Sequence, residues 1–267
     1  LLRKNRDYSG ALNKFGESLA MSTIMNDKKS MAKILNSMAI LNYREKDFDN
    51  ALKNWLHALA LAEEFDDKLK MSKYTNNIGI WYYKDEDFTK AIEYYNKSLN
   101  IKNELKDVRN IGKTLNNIGE VYFSMGDYNN SINKFNESIK IKTQLGDVKG
   151  RISSLINRGK SHFYDQNYND AINDFRMTTN LTDYENQIQK SNRFIGMSHF
   201  YLSNFDSAEL YLEECYEYFF DDEKYKISIL PYLSLVSSKK NNSKNARKYI
   251  NKFKNIIVSE DPYIEET

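Results

Sequence analysis

Residues 110–135 read NIGKTLNNIGEVYFSMGDYNNSINKF, and this stretch decides the fold because it holds two helical patterns separated by a turn. In the first half, apolar or small residues recur at offsets of 0, 3, 4 and 7, on one face of an α-helix: Leu115, Ile118, Gly119 and Tyr122. The pair Gly126-Asp127 then predicts a turn. In the second half the small Ser131 precedes the bulky Phe135 by four positions, which predicts one face of a second helix.

The same pattern of residues recurs along the chain, with a spacing of 40 residues from Tyr8 to Tyr168. The aromatic residue of the turn recurs at Tyr8, Phe48, Phe88, Tyr128, Tyr168 and Phe205. The small residue of the second helix recurs at Ala11, Ala51, Ala91, Ser131, Ala171, Ala208 and Ala246. The bulky residue follows at Phe15, Trp55, Tyr95, Phe135, Phe175, Leu212 and Ile250. We therefore predict stacked helix pairs, because one pair alone cannot bury its apolar face.

The order of these residues resembles the tetratricopeptide repeat (TPR), whose usual period is about 34 residues. The longer period of this chain and the missing closing proline resemble the variant found in kinesin light chains, cell-polarity adaptors and many bacterial regulators. The resemblance implies an all-α fold, a right-handed superhelical solenoid of antiparallel helix pairs, with about six full repeats and one extra helix. We expect the first helix of each pair, the A helix, near 31–45, 70–84, 110–124, 150–164, 187–201 and 226–238.

A lone second helix, or B helix, is expected near 7–25, which suggests a longer parent chain upstream. We expect a single solenoid domain over 1–258 and an acidic C-terminal tail over 259–267. The period shortens after Asp183, which we attribute to a shortened turn.

The composition excludes several classes of protein. Lys and Arg total 39 against 37 Asp and Glu, and a net charge of +2 does not favour nucleic acid or an anionic membrane. One cysteine excludes an internal disulfide framework, and no stretch is apolar over the length of a membrane span. Because no phosphate-binding loop, zinc-protease or nucleophile-elbow motif occurs, we expect no enzyme activity and no cofactor. We expect His162, His199 and Cys215 to be packed side chains.

The A helices of TPR proteins line a concave surface that binds partners, so the resemblance implies a binding face opposite the repeat-defining residues. Three consecutive repeats place asparagine at one position of this face: Asn77, Asn117 and Asn157. A carboxamide both donates and accepts hydrogen bonds, and kinesin-light-chain-like TPRs hold a peptide backbone with such a ladder. The alternative is that these side chains are solvated or bridge neighbouring helices. The preceding position carries further candidates: Asn36, Asn76 and Asn116.

The same face carries an excess of cations: Lys33, Lys73, Lys113, Lys160, Lys190 and Arg193. A wall of one sign focuses the electric field, so we expect an acidic peptide or a free C-terminal carboxylate as ligand. The alternative is a solvated lysine stripe. Aromatic residues recur at one position of the repeat: Tyr43, Tyr83, Phe123, Phe163 and Phe200. They either line pockets at the base of the groove or pack between A helices.

We therefore expect a protein–protein interaction scaffold that binds an extended or helical peptide in its concave groove. The alternative is a sensory or autoinhibitory module of a larger signalling enzyme or transcription regulator. Nucleic acid is disfavoured as a partner because no base-reading pattern is visible from repeat to repeat, and we expect no membrane partner. Further expectations are a homodimer formed through the terminal helices, an acidic tail that occupies the basic groove, and a cytoplasmic location, with the periplasm as the alternative.

Overall fold

A computed structural model of the chain describes residues 8–260, with side chains to Ile257, and every regular element in this range is an α-helix. The helices divide into two compact units, one ending at Asp127 and the other beginning at Tyr128. Unit 1 contains α1 (Tyr8–Ile24), α2 (Lys28–Arg44), α3 (Phe48–Glu64), α4 (Lys68–Lys84), α5 (Phe88–Glu104) and α6 (Val108–Ser124). Unit 2 contains α7 (Tyr128–Gln144), α8 (Val148–Tyr164), α9 (Tyr168–Thr179), α10 (Glu185–Tyr201), α11 (Phe205–Tyr218), α12 (Glu223–Lys239) and α13 (Ser243–Glu260).

The turn residues explain where most helices begin. Seven described helices are capped by an aspartate whose carboxylate accepts a hydrogen bond from the backbone N–H three residues later: Asp27, Asp47, Asp67, Asp87, Asp107, Asp147 and Asp222. In all of these turns except that of Asp222, the residue before the cap has positive φ and reverses the chain, as at Glu86 and Gly146. Two helices of 17 residues and two three-residue turns therefore account for the period of 40.

Each helix packs against its neighbours along the chain within its unit, and the repeat residues form the core. The small residues of five B helices are completely buried: Ala51, Ala91, Ser131, Ala171 and Ala208. The bulky residues four positions later are at most 3 % exposed: Trp55, Tyr95, Phe135, Phe175 and Leu212. Burial of these large side chains supplies most of the stabilisation of each helix pair.

The predicted all-α architecture is confirmed over residues 8–260: α1 occupies the position of a B helix, and A helices follow at α2, α4, α6, α8, α10 and α12. The expected shortened turn after Asp183 is wrong. Helix α9 has only 12 residues and the connection to α10 lengthens to 180–184. The cap of α10 is Tyr184, whose side chain makes no capping hydrogen bond, so the aspartate-capped turn is lost here.

The predicted domain limits stay predictions. The backbone of α13 continues through Glu260, so the first two residues of the predicted tail are helical, while the rest of the tail and residues 1–7 lie outside the described residues. None of the helices between residues 8 and 260 combines the length and apolar character that a bilayer span requires.

Candidate functional site

Three of the predicted cations meet in one cavity of unit 2. Lys160 of α8 and both Lys190 and Arg193 of α10 line a cavity of about 290 Å³. The other lining residues are Ile156, Phe175, Gln187, Ser191, Phe194 and Tyr225. No carboxylate occurs among the described residues that line this space, which we call the basic cavity.

Arg193 is held in a fixed orientation at the basic cavity. Its Nη1 donates to Oγ of Ser228 at 2.6 Å, and the Ser228 hydroxyl donates to the backbone carbonyl of Tyr225 at 2.7 Å. The guanidinium carbon lies 4.8 Å from the ring centre of Phe194 and 5.4 Å from that of Tyr225. Its Nε is buried with no hydrogen-bond partner among the described residues. Burial lowers the pKa of Arg193 from its ordinary value, although an arginine remains protonated.

The positive charges of Lys190 and Arg193 are not neutralised by any described acid. Lys190 Nζ lies 5.5 Å from the ring centre of Tyr225, and no described carboxylate is within ion-pair distance of Lys190 or Arg193. Cations that are partly desolvated and lack a counterion attract anionic ligands strongly. The arrangement therefore suits an anionic group.

A second cavity of about 510 Å³ lies on the same three A helices, and all of its lining side chains are uncharged: Phe163, Tyr164, Gln166, Tyr168, Met197, Tyr201 and Tyr232. We call it the aromatic cavity. Tyr164 and Tyr201 are 51 % and 47 % exposed, and Tyr201 stacks on Tyr168 with ring centres 4.8 Å apart. On α12 the basic cavity is lined by Tyr225 and the aromatic cavity by Tyr232, seven residues later. Seven residues are about two helical turns, so the two cavities lie roughly 10 Å apart on the same face of this helix.

In unit 1, the further candidates Asn36, Asn76 and Asn116 form hydrogen bonds within the protein. The carboxamide oxygen of Asn36 accepts hydrogen bonds from Trp55 Nε1 at 3.3 Å and from Asn77 Nδ2 at 3.1 Å. Asn76 Oδ1 accepts from Lys102 Nζ at 3.2 Å, and Asn116 Nδ2 donates to Glu120 Oε1 at 2.9 Å. Asn36 and Asn116 are only 5 % and 7 % exposed, so we leave them out of the proposed site.

One residue of the predicted asparagine ladder, Asn77, forms a hydrogen bond within the protein. Asn77 bridges two A helices through its bond to Asn36, as the alternative interpretation of the sequence held. Asn77, Asn117 and Asn157 are all half-buried. Their binding of a peptide backbone stays a prediction.

The remaining predicted residues of unit 1 differ in exposure and in their contacts. Lys33, Lys73 and Lys113 are exposed. Tyr43 packs on Phe48 and Trp55, with ring centres 5.4 and 5.7 Å away. The hydroxyls of Tyr83 and Ser124 share a hydrogen bond of 3.0 Å, which ties α4 to α6, and Phe123 is half-buried. Tyr43 and Tyr83 thus pack between helices.

Sequence reasoning missed the exposed tyrosines of the aromatic cavity and a pair of buried lysines. Tyr164 and Tyr201 each follow a predicted aromatic residue, Phe163 and Phe200, in the same phase of the repeat, and this signal was available. Lys102 and Lys142, each 5 % exposed, occupy the position of the buried Ala62 in successive B helices. Lysine is rarely fully buried, so nothing in the sequence signalled this position.

The packed roles expected for the histidines and the cysteine agree with the structure. His199 is 9 % exposed and stacks on Tyr211, and burial lowers the pKa of both His199 and His162. Cys215 is fully buried, and its Sγ donates to the backbone carbonyl of Gln189 at 3.2 Å. Burial raises the pKa of the Cys215 thiol to about 12, which leaves it protonated and unreactive. Within residues 8–260, no three acidic, histidine or cysteine side chains cluster as metal ligands would.

Comparison with known proteins gives a family match and structural neighbours. The family model for the tetratricopeptide repeat matches residues 30–104 and 110–182. A signal-transduction ATPase with numerous domains (STAND) and a tetratricopeptide-repeat sensor, from Pyrococcus horikoshii, superposes with a TM-score of 0.80 and 17 % identity, over 97 % of this chain and 41 % of that chain.

Two shorter proteins superpose over most of their own length. The apo form of RapI has a TM-score of 0.69 and 15 % identity, over 94 % of this chain and 92 % of that chain. BtubC (BKLC) from P. vanneervenii has a TM-score of 0.68 and 15 % identity, over 80 % and 91 %. No curated protein matches the chain. At such identities these structures share the fold alone.

Proposed function

The chain belongs to the tetratricopeptide-repeat family, and from that premise we propose that it is a protein-interaction scaffold that binds an acidic peptide on the A helices of unit 2. The proposal rests on one observation: Lys190 and Arg193 of α10 line one cavity together with Lys160 of α8, and neither Lys190 nor Arg193 forms an ion pair with a described carboxylate. An acidic side chain placed there gains charge-assisted hydrogen bonds without displacing an existing ion pair.

The aromatic cavity supports a peptide rather than a free ion as the ligand. It is uncharged, partly exposed and lies about two helical turns from the basic cavity on the same face. An extended chain of three or four residues covers that distance. A peptide therefore has room to place an acidic group in one cavity and an apolar side chain in the other, whereas a small anion fills only the first.

The experiment measures binding of a fluorescein-labelled peptide with three consecutive glutamates in a Gly/Ser background, by fluorescence anisotropy. The double variant Lys190→Gln/Arg193→Gln is expected to weaken binding at least about tenfold, because charge-assisted hydrogen bonds are lost. The double variant Lys140→Gln/Lys149→Gln removes the same charge from exposed positions of unit 2 and is expected to bind normally. Equal affinity of both variants, or equal binding of a glutamine peptide, contradicts the proposal.

A second candidate function is a sensory module of a larger signalling protein. The observation in its favour is the overlap of 97 % of this chain with the STAND ATPase that carries a TPR sensor. Peptide binding is compatible with this role and would then control the activity of a neighbouring domain. The test is to express the parent gene product and to measure whether the glutamate peptide changes its catalytic or DNA-binding activity. A parent chain with no such domain contradicts the second candidate.

A further inference from the structure

The basic cavity carries more positive charge than one carboxylate neutralises. Lys190 and Arg193, which line it beside Lys160, have no acidic partner among the described residues, so they supply two positive charges. A glutamate brings one negative charge and two oxygen atoms. A phosphorylated side chain brings a charge of about −1.5 to −2 and three strong acceptor oxygens. The charge and donor count of the cavity therefore match a phosphomonoester better than a carboxylate.

The donors around the cavity are also arranged before any ligand arrives. Arg193 is bound to α12 through Ser228 and lies over the rings of Phe194 and Tyr225, and these contacts orient its planar group. It uses one donor on Ser228 and forms no other hydrogen bond with the described residues, although a guanidinium has five. Lys190 of the same helix stands over Tyr225 without an acidic partner among the described residues. A preoriented arginine with free donors beside lysines is the arrangement by which proteins recognise phosphorylated peptides.

We propose that the basic cavity is a phosphopeptide site, in which Arg193, Lys190 and Lys160 hold a phosphorylated side chain of a partner protein. This inference rests on the proposed function, since it names the acidic group that the same cavity prefers. Phosphorylation of the partner would then control its association with this scaffold. The neighbouring uncharged aromatic cavity holds residues that flank the phosphorylated one.

The test uses three fluorescein-labelled Gly/Ala nonapeptides that differ only in the central residue, which is phosphoserine, glutamate or serine. Fluorescence anisotropy with the full chain at constant ionic strength is expected to give at least about tenfold tighter binding of phosphoserine than of glutamate, and the weakest binding for serine. Arg193→Gln is expected to abolish the preference for phosphoserine over glutamate. Lys190 is half-exposed, so Lys190→Gln tests the site even if Arg193→Gln impairs folding, and it is expected to reduce the preference for phosphoserine. The control Lys140→Gln is expected to leave that preference unchanged.

The outcomes separate this inference from the proposed function. Equal affinity for phosphoserine and glutamate peptides, with both lost in Lys190→Gln/Arg193→Gln, overturns the phosphopeptide site and leaves the acidic-peptide scaffold standing. Absence of binding by any acidic peptide overturns both. If inorganic phosphate at the same concentration displaces the phosphopeptide, the cavity binds the free ion, and the proposal that its ligand is a phosphorylated peptide is contradicted. Tighter binding of a single-stranded oligonucleotide, lost in Arg193→Gln, overturns the proposal in favour of nucleic acid.

Discussion

Lys102 carries a buried ammonium group that is held by uncharged oxygens only. Its Nζ donates to Thr114 Oγ1 at 2.6 Å and to Asn76 Oδ1 at 3.2 Å, and no described carboxylate forms an ion pair with it. Burial, reinforced by the charge of Lys113 and opposed by that of Asp107, lowers the pKa of Lys102 to about 8 from its ordinary value of 10.5. The folded protein therefore keeps a charge at neutral pH that the unfolded chain solvates better.

The sign of the pH dependence follows from that difference. Because the pKa of Lys102 is lower in the folded state, its energetic cost is fully present below pH 8 and is relieved as the pH rises from about 8 to 10.5. We predict that Lys102→Met raises the free energy of unfolding at pH 7 by about 2 kcal/mol. Urea unfolding should show a smaller difference between variant and wild type at pH 9.5.

The control for this prediction is Lys140→Met, which changes an exposed lysine of another B helix and should produce no pH-dependent difference. A Lys102→Met protein that is less stable than wild type at both pH values would mean that the bonds to Asn76 and Thr114 outweigh desolvation. The same geometry recurs 40 residues later, where Lys142 Nζ donates to Ser154 Oγ at 2.7 Å.

At the scale of helix pairs, the recurring glycine of the A helix determines how closely the B helix packs. A Cβ at Gly79 would lie 2.7 Å from Cδ1 of Tyr95, and a Cβ at Gly196 would lie 2.8 Å from Cγ of Leu212. Both neighbours are buried core residues that cannot move into solvent. The glycine is therefore required by the bulky B-helix residue and not by backbone conformation.

We predict that Gly79→Ala lowers the free energy of unfolding by about 1–2 kcal/mol, because the steric cost exceeds the gain in helix propensity. Gly16→Ala is the matched control, since a Cβ there meets nothing within 4 Å and the residue lies inside α1. The free energy of unfolding of Gly16→Ala should be about 0.5–1 kcal/mol higher than that of the wild type. Thermal or urea unfolding of both variants tests the pair of values, and stabilisation by Gly79→Ala would contradict the packing argument.

These pairwise contacts also explain how far the sequence predicts the structure. Gly79, Ala91 and Tyr95 are in phase with their counterparts in other repeats, so the helices and their buried faces follow from period and residue size. The length of α9 was not predictable in this way, because no repeat mark falls between Phe175 and the next A helix.

The site is less predictable than the helices because its properties depend on neighbours in space. Asn36 and Lys190 both follow the repeat register. The oxygen of Asn36 accepts hydrogen bonds from Trp55 and Asn77, whereas Lys190 forms no ion pair with a described carboxylate. Periodicity places a residue on a helix face. Periodicity does not reveal which side chain of the neighbouring helix contacts that residue.

For the whole molecule, the division into two units predicts separable unfolding. Stability of a repeat protein is close to a sum of repeat terms and nearest-neighbour terms, so a large local loss need not unfold the entire chain. The chain has two tryptophans, and both Trp55 and Trp81 belong to unit 1. Tryptophan fluorescence therefore reports unit 1 alone, while far-ultraviolet circular dichroism reports the helices of both units.

We predict that Leu212→Ala, at a fully buried position of unit 2, separates these two signals. Deletion of a buried leucine side chain costs about 2–5 kcal/mol, so part of the dichroism should be lost at lower urea while the fluorescence midpoint stays in place. Leu35→Ala, at a 2 % exposed position of unit 1, is the reciprocal variant and should move the fluorescence midpoint. If both signals shift together in Leu212→Ala, the chain unfolds as one cooperative unit, and a ligand on the A helices of unit 2 would then stabilise α1 through α6 as well.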